Sequence, residues 1–252
     1  MGGTGPKAER LPRLASGIEA LDRALSGGIP IGNSVLLAGS CGTGKTTLAA
    51  EFLLAGARAK EPSLLLAVTE DAERLLENLR TYEFFDQALV GPGKFELLDV
   101  AELYKGSPLE KTTVLGAADV PVLVKLLLDQ VDKRKTRRLV IDSLTGLCLR
   151  FPSKELVRDF VSTLSKGLSK RGVTCLLISE LEAGSTGHSS HGVEDAVVDG
   201  VLQLGNTVSR GHLLRTLQIV KMRGTPHSRT RYVLELSHYG AILVPLLRSG
   251  KA

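Results

Sequence analysis

A glycine-rich segment at residues 39–46, with the sequence GSCGTGKT, constrains the fold more than any other feature of the chain. It fits the pattern GxxxxGK[ST], in which glycines allow backbone N–H groups to surround a phosphate that bulkier side chains would exclude. The apolar residues 35–37 precede it, and residues 45–59 follow with the spacing of an amphipathic helix. We therefore predict a buried strand, a phosphate-binding loop and a helix whose positive N-terminal end faces the same anion.

Each position of this loop has an expected role. Lys45 is expected to reach the β- and γ-phosphates of ATP, and the Thr46 hydroxyl is expected to bind Mg²⁺. The predicted nucleotide contacts in this part of the chain are Gly39, Ser40, Cys41, Gly42, Thr43, Gly44, Lys45, Thr46 and Thr47. The alternative is a glycine-rich turn without a ligand, and the flanking strand and helix make it the weaker interpretation.

A second metal ligand is predicted at the end of an apolar strand. Residues 137–143 read RRLVIDS, and a strand that is buried on both faces delivers its last side chain to the edge of the sheet where ligands bind. Asp142 is therefore expected to hold Mg²⁺ together with Thr46, directly or through water. The alternative is that Asp142 only caps the turn that follows.

Hydrolysis also needs a group that orients or deprotonates water. Glu70 follows the apolar residues 64–68 and is the candidate base. The acidic pair of Glu70 and Asp71 would also serve as an N-cap for the next helix, which leaves a purely structural alternative open. Ser179 ends another apolar run and is a candidate sensor of the γ-phosphate, or an ordinary serine at a strand end.

Short apolar runs alternate with longer helical patterns up to about residue 182, which is typical of a parallel sheet with crossover helices. An opening helix is predicted over residues 16–25, with Ser16 and Glu19 as a capping box. A loop rich in Gly, Ser and His follows at residues 183–192, and the strand-like runs after it have no long helices between them. The predicted fold is α/β, with a mostly parallel twisted sheet flanked by helices and an antiparallel C-terminal extension.

The chain has 252 residues, which is enough for one well-packed domain and short for two. We predict a single domain over residues 11–247, a flexible tail at residues 1–10 and a short tail at residues 248–252. The first residues lack the apolar core of a signal peptide, no apolar run reaches about 18 residues, and the cysteines show no CxxC spacing. These features indicate a cytoplasmic protein without membrane contact, disulfides or zinc.

The net charge of +5 is mild, and part of it comes from a basic cluster at residues 133–138 with the sequence KRKTRR. Cations complement the C-terminus of the helix that is predicted just before this cluster. A solvated helix cap is therefore the favoured interpretation, and a nucleic-acid patch is the alternative. Aromatic residues make up only 4% of the chain, so side chains for stacking on bases are scarce.

Several further segments, spread over about residues 11–236, belong together: SGI at 16–18 with LD at 21–22, GGIP at 27–30, the loop at 39–46, Glu70 with LLEN at 75–78, GVED at 192–195, DG at 199–200, RT at 215–216, KMRGT at 221–225 and His227. Together they resemble one KaiC domain of the RecA-like P-loop NTPases, to which RadA paralogues are related. The last set is the most specific, because a generic phosphate-loop enzyme has no reason to carry it.

The resemblance implies a RecA-like core that assembles into a homo-oligomer, with a hexameric ring favoured and ATP clamped between neighbouring subunits. Lys221 and Arg223 match the family's Lys-x-Arg pair, which reaches the neighbour's nucleotide, and His227 matches a further interface position. A cation supplied in trans would stabilise charge that develops on the γ-phosphate. Without the resemblance, exposed charges on a strand would be the simpler interpretation of the pair.

Three departures from the family pattern limit what the resemblance implies. The family usually has two adjacent glutamates where this chain has Thr69 and Glu70, so turnover is expected to be slow or absent if the first glutamate is the stronger base. The clock protein has two such domains and this chain has one, so a circadian role does not carry over. Its phosphorylated Ser/Thr pair aligns near Asp195 and Ala196, so this domain resembles the ATPase half.

The sequence thus predicts a magnesium-dependent ATPase that serves regulation or signalling through a protein partner. Its predicted catalytic residues are Lys45, Glu70, Lys221 and Arg223. The alternative is a recombinase-like ATPase that binds single-stranded DNA in repair. The cations available for that role are the cluster at 133–138, Arg210, Arg229 and Arg231. A protein that binds ATP but barely hydrolyses it is a third interpretation, motivated by Thr69.

Overall fold

A computed structural model describes residues 11–209 and 211–246. The predicted tails at 1–10 and 248–252 lie outside the described residues, as does Arg210. The strands are β1 (Arg13–Leu14), β2 (Ile29–Pro30), β3 (Ser34–Gly39), β4 (Ser63–Ala67), β5 (Phe95–Asp99), β6 (Arg138–Asp142), β7 (Thr174–Glu180), β8 (Gly200–Ser209), β9 (His212–Met222), β10 (Arg231–Ser237) and β11 (Gly240–Pro245). The helices are α1 (Glu19–Ala24), α2 (Lys45–Arg58), α3 (Ala72–Leu79), α4 (Val100–Tyr104), α5 (Asp119–Lys133), α6 (Leu144–Cys148), α7 (Lys154–Lys170) and α8 (Glu194–Val197).

Strands β3 to β11 form one nine-stranded sheet in the order β11-β10-β9-β8-β3-β7-β6-β4-β5. The six strands from β8 to β5 in that order are parallel, and β9, β10 and β11 add antiparallel pairs beyond β8. The predicted α/β architecture with an antiparallel C-terminal extension is confirmed. We call the end at which the parallel strands finish the carboxyl edge, and the end at which they begin the amino edge.

The two faces of the sheet carry separate apolar layers. In β3, Val35 and Leu37 face a layer that includes α1 and α2, whereas Leu36 and Ala38 face a layer that includes α5, α6 and α7. Successive side chains of a strand point to opposite faces, so a strand covered on both sides must be apolar throughout. Burying one such large side chain stabilises the fold by about 1.5–3 kcal/mol. The continuous apolar runs of β3, β4 and β6 are therefore central strands.

Helix α7 shows how the pattern sets a helix. The Ser153 hydroxyl accepts a hydrogen bond from the Leu156 N–H at 3.4 Å, and the buried residues recur every three or four positions. These buried positions are Val157, Phe160, Val161, Leu164, Ser165 and Leu168. At 17 residues α7 is the longest helix, and none of the helices in the described part of the chain is long and apolar enough to cross a membrane.

The predicted capping box at the first helix is wrong. Helix α1 begins at Glu19 without a side-chain cap, and Ser16 instead donates its backbone N–H to Asp22 Oδ1 at 2.7 Å. Gly17, with φ of +92°, turns the chain between Ser16 and the helix, so Ser16 lies outside the position that the spacing suggested. The short pair β1–β2 and the short helices α4, α6 and α8 were not predicted from the sequence.

The basic cluster at 133–138 is divided between two structural roles. Arg134 is the C-cap of α5 and forms an ion pair with Glu96 at 3.1 Å, which agrees with the helix-cap interpretation. Arg138 is buried, pairs with Glu61 at 2.6 Å and donates to the carbonyls of Ala15 and Phe52 at 2.7 and 2.9 Å. Arg134 and Arg138 therefore bind groups of the protein itself, which leaves fewer cations of this cluster for a nucleic-acid patch.

Candidate nucleotide-binding site

The glycine-rich loop follows the most central strand of the sheet. Every residue of β3 is buried, between β7 and β8, and the loop leaves it at the carboxyl edge. Gly44 is the N-cap of α2 with φ of +95°, and a Cβ built there would lie 2.5 Å from Leu236 Cδ1. Because few residues other than glycine adopt this positive φ, the backbone conformation favours glycine at this position.

Two side chains of the loop donate hydrogen bonds to the same backbone carbonyl. The Thr43 hydroxyl and the Lys45 ammonium both donate to the Ser40 carbonyl, at 2.8 and 2.9 Å. Lys45 is almost buried, and burial lowers the pKa of its ammonium group, while the nearby carboxylates of Glu180 and Asp142 oppose that change. The ammonium is thus a buried cation bound to one neutral carbonyl, which a phosphate can replace.

The two predicted metal ligands meet across the carboxyl edge. Asp142 ends β6, and its Oδ2 accepts a hydrogen bond of 2.7 Å from the Thr46 hydroxyl at the start of α2. Burial raises the pKa of Asp142 and the neighbouring Glu180 and Glu70 add to this, whereas Thr46 and Lys45 lower it. The capping alternative belongs to Ser143, whose hydroxyl accepts from the Gly146 N–H at 3.0 Å.

This donor set fits Mg²⁺. A hydroxyl and a carboxylate in contact, inside a cluster of negative charge, are oxygen ligands of the kind that Mg²⁺ prefers. In residues 11–209 and 211–246 there is no group of three or more His, Cys, Asp or Glu side chains suited to a metal. Mg²⁺ needs few protein ligands, because it usually keeps several waters and takes further oxygens from substrate phosphates.

Glu70 lies after β4 at the same edge. Its neighbour Asp71 is the N-cap of α3 and accepts from the N–H groups of Glu73 and Arg74 at 2.9 and 3.3 Å. Glu70 itself accepts from the Asn78 amide at 3.1 Å and lies 3.7 Å from the Arg74 guanidinium. The capping role that the sequence left open for the acidic pair is therefore filled by Asp71.

A cavity of about 480 Å³ opens beside the loop. Lys45, Thr46 and Asp142 supply polar groups to its lining, and Tyr82 and Leu236 supply apolar surface. Other lining residues are Cys41, Gly42, Gly44, Thr47, Glu180, Leu181 and Arg215. The cavity thus combines cationic, hydroxyl and apolar groups, which suits a phosphorylated organic ligand.

Comparison with known proteins assigns this arrangement to a family. The family model described as "ATPase: KaiC" matches residues 14–248. The chain belongs to the KaiC ATPase family. It is 32% identical to UPF0273 protein PH0284 of Pyrococcus horikoshii over 243 residues, which cover 95% of this chain and 97% of that protein. It is 29% identical to the circadian clock oscillator protein KaiC of Synechococcus elongatus over 239 residues, which cover 94% of this chain and 45% of that protein.

A solved structure shows the same KaiC-like fold. The crystal structure of the KaiC-like protein PH0186 from Pyrococcus horikoshii superimposes with a TM-score of 0.75 at 30% identity, covering 93% of this chain and 100% of that one. The predicted resemblance to a KaiC-like P-loop ATPase is confirmed by the family, the relatives and this structure.

The Lys-x-Arg pair of this KaiC-family chain lies far from its own loop. Lys221 of β9 pairs with Val201 of β8. The next residue, Met222, pairs with Gly200, which in turn pairs with Val35 near the beginning of β3. Four residues of strand, about 13 Å, separate that level from Gly39. The pair is thus at the amino edge, whereas the phosphate loop is at the carboxyl edge, and the structure does not bring the two together within one chain.

Two other predicted site residues have local partners. The buried Ser179 hydroxyl accepts from the Ser190 N–H at 3.0 Å, so it anchors the loop at 183–192 beside the phosphate loop. His227 follows the Lys-x-Arg pair in an irregular segment, and its Nδ1 lies 3.0 Å from the Ser228 carbonyl oxygen.

The structure adds two residues to the site that sequence reasoning missed. Glu180 ends β7, lines the cavity and acts electrostatically on both Lys45 and Asp142. Arg215 of β9 donates Nε–H to the Gly42 carbonyl at 3.0 Å and lines the same cavity. The position of Glu180 directly after a buried strand was a usable signal, whereas the approach of β9 to the loop depends on the hairpin register.

Proposed function

We propose that this KaiC-family chain binds ATP with Mg²⁺ and hydrolyses it, and that a ring or filament of such subunits changes shape with the nucleotide to regulate a protein partner. A hexameric ring is the favoured assembly, and a single domain over residues 11–247 is the unit. The observation that carries the proposal is the 2.7 Å contact between Thr46 and Asp142, which line the cavity together with Lys45.

Binding follows from the groups around the loop. Backbone N–H groups of residues 39–46 surround the phosphates, and the N-terminus of α2 adds its positive dipole. Lys45 exchanges the Ser40 carbonyl for a β- or γ-phosphate oxygen, a stronger charge-assisted hydrogen bond. Tyr82 and Leu236 add apolar surface to the lining of the same cavity.

Hydrolysis requires an attacking water held in line with the γ-phosphate. Thr46 and Asp142 would hold Mg²⁺, which would supply positive charge to the phosphate oxygens. Glu70 orients and deprotonates the water; it is partly exposed and stays close enough to Asp142 to raise the pKa of that carboxyl. Thr69 in place of a first glutamate favours slow turnover, and near-zero turnover would make the protein an ATP sensor.

Lys221 and Arg223 complete the site of the neighbouring subunit. Lys221 lies about 10 Å along the strands from its own loop and Arg223 lies farther, so the catalytic role carried by the family pattern requires a second copy. A cation that arrives across an interface stabilises the charge of the transition state and couples hydrolysis to assembly. Ser179 and His227 are proposed as nucleotide-sensing and interface positions.

The DNA-binding alternative has less support than the sequence suggested. Arg134 and Arg138 are engaged with Glu96 and Glu61, and Arg231 donates to the Gln218 amide oxygen at 3.3 Å. A salt titration with single-stranded DNA tests it, because phosphate contacts make affinity fall steeply with salt. A steep loss of affinity would restore this alternative.

The direct experiment measures phosphate release with ATP and Mg²⁺ in wild type, Lys45→Ala and Glu70→Gln. We expect Lys45→Ala to lose nucleotide affinity, and Glu70→Gln to keep affinity while kcat falls by about 10²-fold. Glu102→Gln, an exposed change on α4, is the control. Calorimetry that detects no magnesium-dependent affinity in the folded wild type would refute the proposal, and unchanged turnover in Glu70→Gln would refute the choice of base.

Action in trans is tested by mixing two inactive variants. Glu70→Gln keeps the cation pair and Arg223→Ala keeps the base, so about a quarter of the interfaces in a 1:1 mixture combine both intact halves. We expect the mixture to regain activity that neither variant has alone. Mass measured with and without ATP and Mg²⁺ shows the assembly, and a fully active monomer would contradict the interface mechanism.

A further inference from the structure

Glu194, at the start of α8, is a buried carboxylate with no part in the site described above. Its side chain is completely buried. It accepts the backbone N–H of His191 at 3.1 Å and that of Val193 at 3.1 Å, and its Oε1 lies 3.0 Å from the His191 ring Nδ1. Burial would raise the pKa of Glu194, but these hydrogen bonds outweigh burial and hold it below its ordinary value. The carboxylate therefore fixes the chain just before α8.

The helix that Glu194 fixes in turn holds both cations of the Lys-x-Arg pair. Lys221 Nζ donates to the Asp195 carbonyl at 2.6 Å. Arg223 Nη2 donates to the Ala196 carbonyl at 3.2 Å, and Arg223 Nη1 lies 3.5 Å from the Val197 carbonyl oxygen. Three successive carbonyls of α8 are thus aimed at the pair, and any rotation of α8 would move both side chains together.

The pair is held mainly by backbone carbonyls, and one carboxylate forms an ion pair with Arg223. Carbonyl oxygens are neutral, and the carboxylate that approaches Arg223, on Asp199, is 3.4 Å away and also accepts the Ser34 N–H at 3.0 Å. Burial and the adjacent Arg223 lower the pKa of Lys221, and the carboxylates of Asp195 and Asp199 oppose that change. A pair held in this way can exchange its carbonyl partners for the oxygens of a polyphosphate.

We propose that Glu194 is a positioning residue that, through α8, holds Lys221 and Arg223 in the geometry needed to reach the nucleotide of a neighbouring subunit. The inference rests on the proposed function, in which that pair acts in trans. Glu194 touches no substrate in this mechanism. Its effect is on the orientation of two groups, and a displacement of about 1 Å at such groups costs about 10²-fold in rate.

The first test is Glu194→Gln. Glutamine keeps the side-chain volume but replaces one carboxylate oxygen by an NH₂ group, which cannot accept a hydrogen bond from His191 or Val193. We therefore expect α8 to lose its fixed orientation. We expect kcat for ATP to fall about 10- to 100-fold while KM changes by less than about threefold, because the variant's own phosphate loop is intact. The proposal would be overturned if kcat were unchanged, or if KM rose by as large a factor as kcat fell.

The decisive test is complementation between variants. Mixed with Glu70→Gln, Glu194→Gln should regain activity, because the first supplies an intact cation pair and the second an intact base. Mixed with Arg223→Ala, it should regain none, because both lesions lie on the same side of the interface. The mixture of Glu70→Gln with Arg223→Ala reports on the proposed function alone. Rescue in that mixture without rescue of Glu194→Gln refutes the positioning role and leaves the proposed function standing.

A milder pair of variants covers the case in which Glu194→Gln does not fold. His191→Asn keeps a side-chain donor near Glu194, whereas His191→Ala removes it. We expect His191→Ala to lower kcat by about threefold to tenfold and His191→Asn to retain most of the activity, with both unfolding within a few degrees of wild type. Equal kcat in the two variants would contradict the proposal.

Discussion

The strand β6 carries a buried charge at each end, and the two ends differ in how that charge is satisfied. Arg138 begins the strand at the amino edge, and Asp142 ends it at the carboxyl edge. Arg138 has partners for most of its guanidinium: Glu61, two backbone carbonyls, and the ring of Phe52, which lies 4.9 Å below it. Within the described residues, the Asp142 carboxylate accepts one hydrogen bond, from Thr46, and it lines a cavity.

The contrast shows how a structural charge can be told from a functional one in a single chain. A buried charge that is fully paired by its own protein contributes to architecture. A buried charge that is partly paired, has a raised pKa and faces open volume keeps capacity for a ligand. By the same criterion Lys45, which has one carbonyl partner beside the cavity, belongs with Asp142 rather than with Arg138.

The largest expected effect comes from removing the charge of Asp142. Asp142→Asn keeps an oxygen for the Thr46 hydroxyl but loses the metal ligand, so we expect kcat for ATP to fall about 10³-fold. Because burial raises the pKa of Asp142, ionised Asp142 disfavours the folded state, and the variant should be at least as stable as wild type. Phosphate release and urea unfolding measure the two effects. Asp159→Asn, an exposed change on α7, is the control, and a destabilised Asp142→Asn would contradict the contrast.

The opposite outcome is expected at the other end of β6. Arg138→Met keeps much of the volume but leaves Glu61 without its partner, and breaking such a pair costs about 3–5 kcal/mol. Urea unfolding measures that loss, and calorimetry of the folded protein should find ATP affinity within about twofold of wild type. Arg137→Met changes an exposed neighbour and should cost under about 0.5 kcal/mol. Equal losses in the two variants would mean that Arg138 has no special structural role.

The two ends of β6 also mark what the sequence could and could not predict. Asp142 was predictable because an apolar run that ends in a carboxylate identifies both a central strand and its carboxyl edge. Arg138 was assigned with its neighbours to a solvated cluster. Sequence spacing could not show that Glu61, Ala15 and Phe52 enclose its guanidinium, since these partners lie at least 77 residues away in the chain.

The phosphate loop and the strands β9 and β10 that contact it also differ in how far the sequence could predict them. The glycines, Lys45 and Thr46 form a contiguous motif whose local geometry follows from the sequence. The contacts of Arg215 with Gly42 and of Leu236 with Gly44 depend on strand registers and on the packing of β9 and β10 against the loop. Local patterns therefore predicted the phosphate end of the cavity, and long-range packing determined its other walls.

Glu51 extends the comparison to a buried charge without a cationic partner at hydrogen-bond distance. It lies on α2, accepts the Ala241 N–H at 2.5 Å, and burial raises its pKa to about 7 despite that N–H and Arg58. The folded-state pKa exceeds the unfolded value of 4.5, so the folded protein holds an extra proton between them. Stability from this group is present below about pH 4.5 and is lost as the pH rises through 7.

Glu51→Gln should remove that dependence, because glutamine resembles the protonated acid and keeps the acceptor for Ala241. We expect the free energy of unfolding of the variant, relative to wild type, to rise by roughly 2–3 kcal/mol between pH 5 and pH 8. Urea unfolding at several pH values measures it. Glu77→Gln, an exposed change on α3, should show no such trend, and parallel pH profiles for Glu51→Gln and wild type would contradict the assignment.

The smallest effect separates two adjacent acids at the carboxyl edge. Asp71 satisfies two N–H groups at the start of α3, so Asp71→Ala should lower the free energy of unfolding by about 1 kcal/mol. Glu70→Gln should leave that free energy within about 0.5 kcal/mol, since its carboxylate contacts only exposed groups, Asn78 and Arg74. Phosphate release should respond in the reverse order, because Glu70 and not Asp71 is the proposed base. If kcat fell as much in Asp71→Ala as in Glu70→Gln, the two adjacent acids could not be divided into a structural charge and a catalytic one.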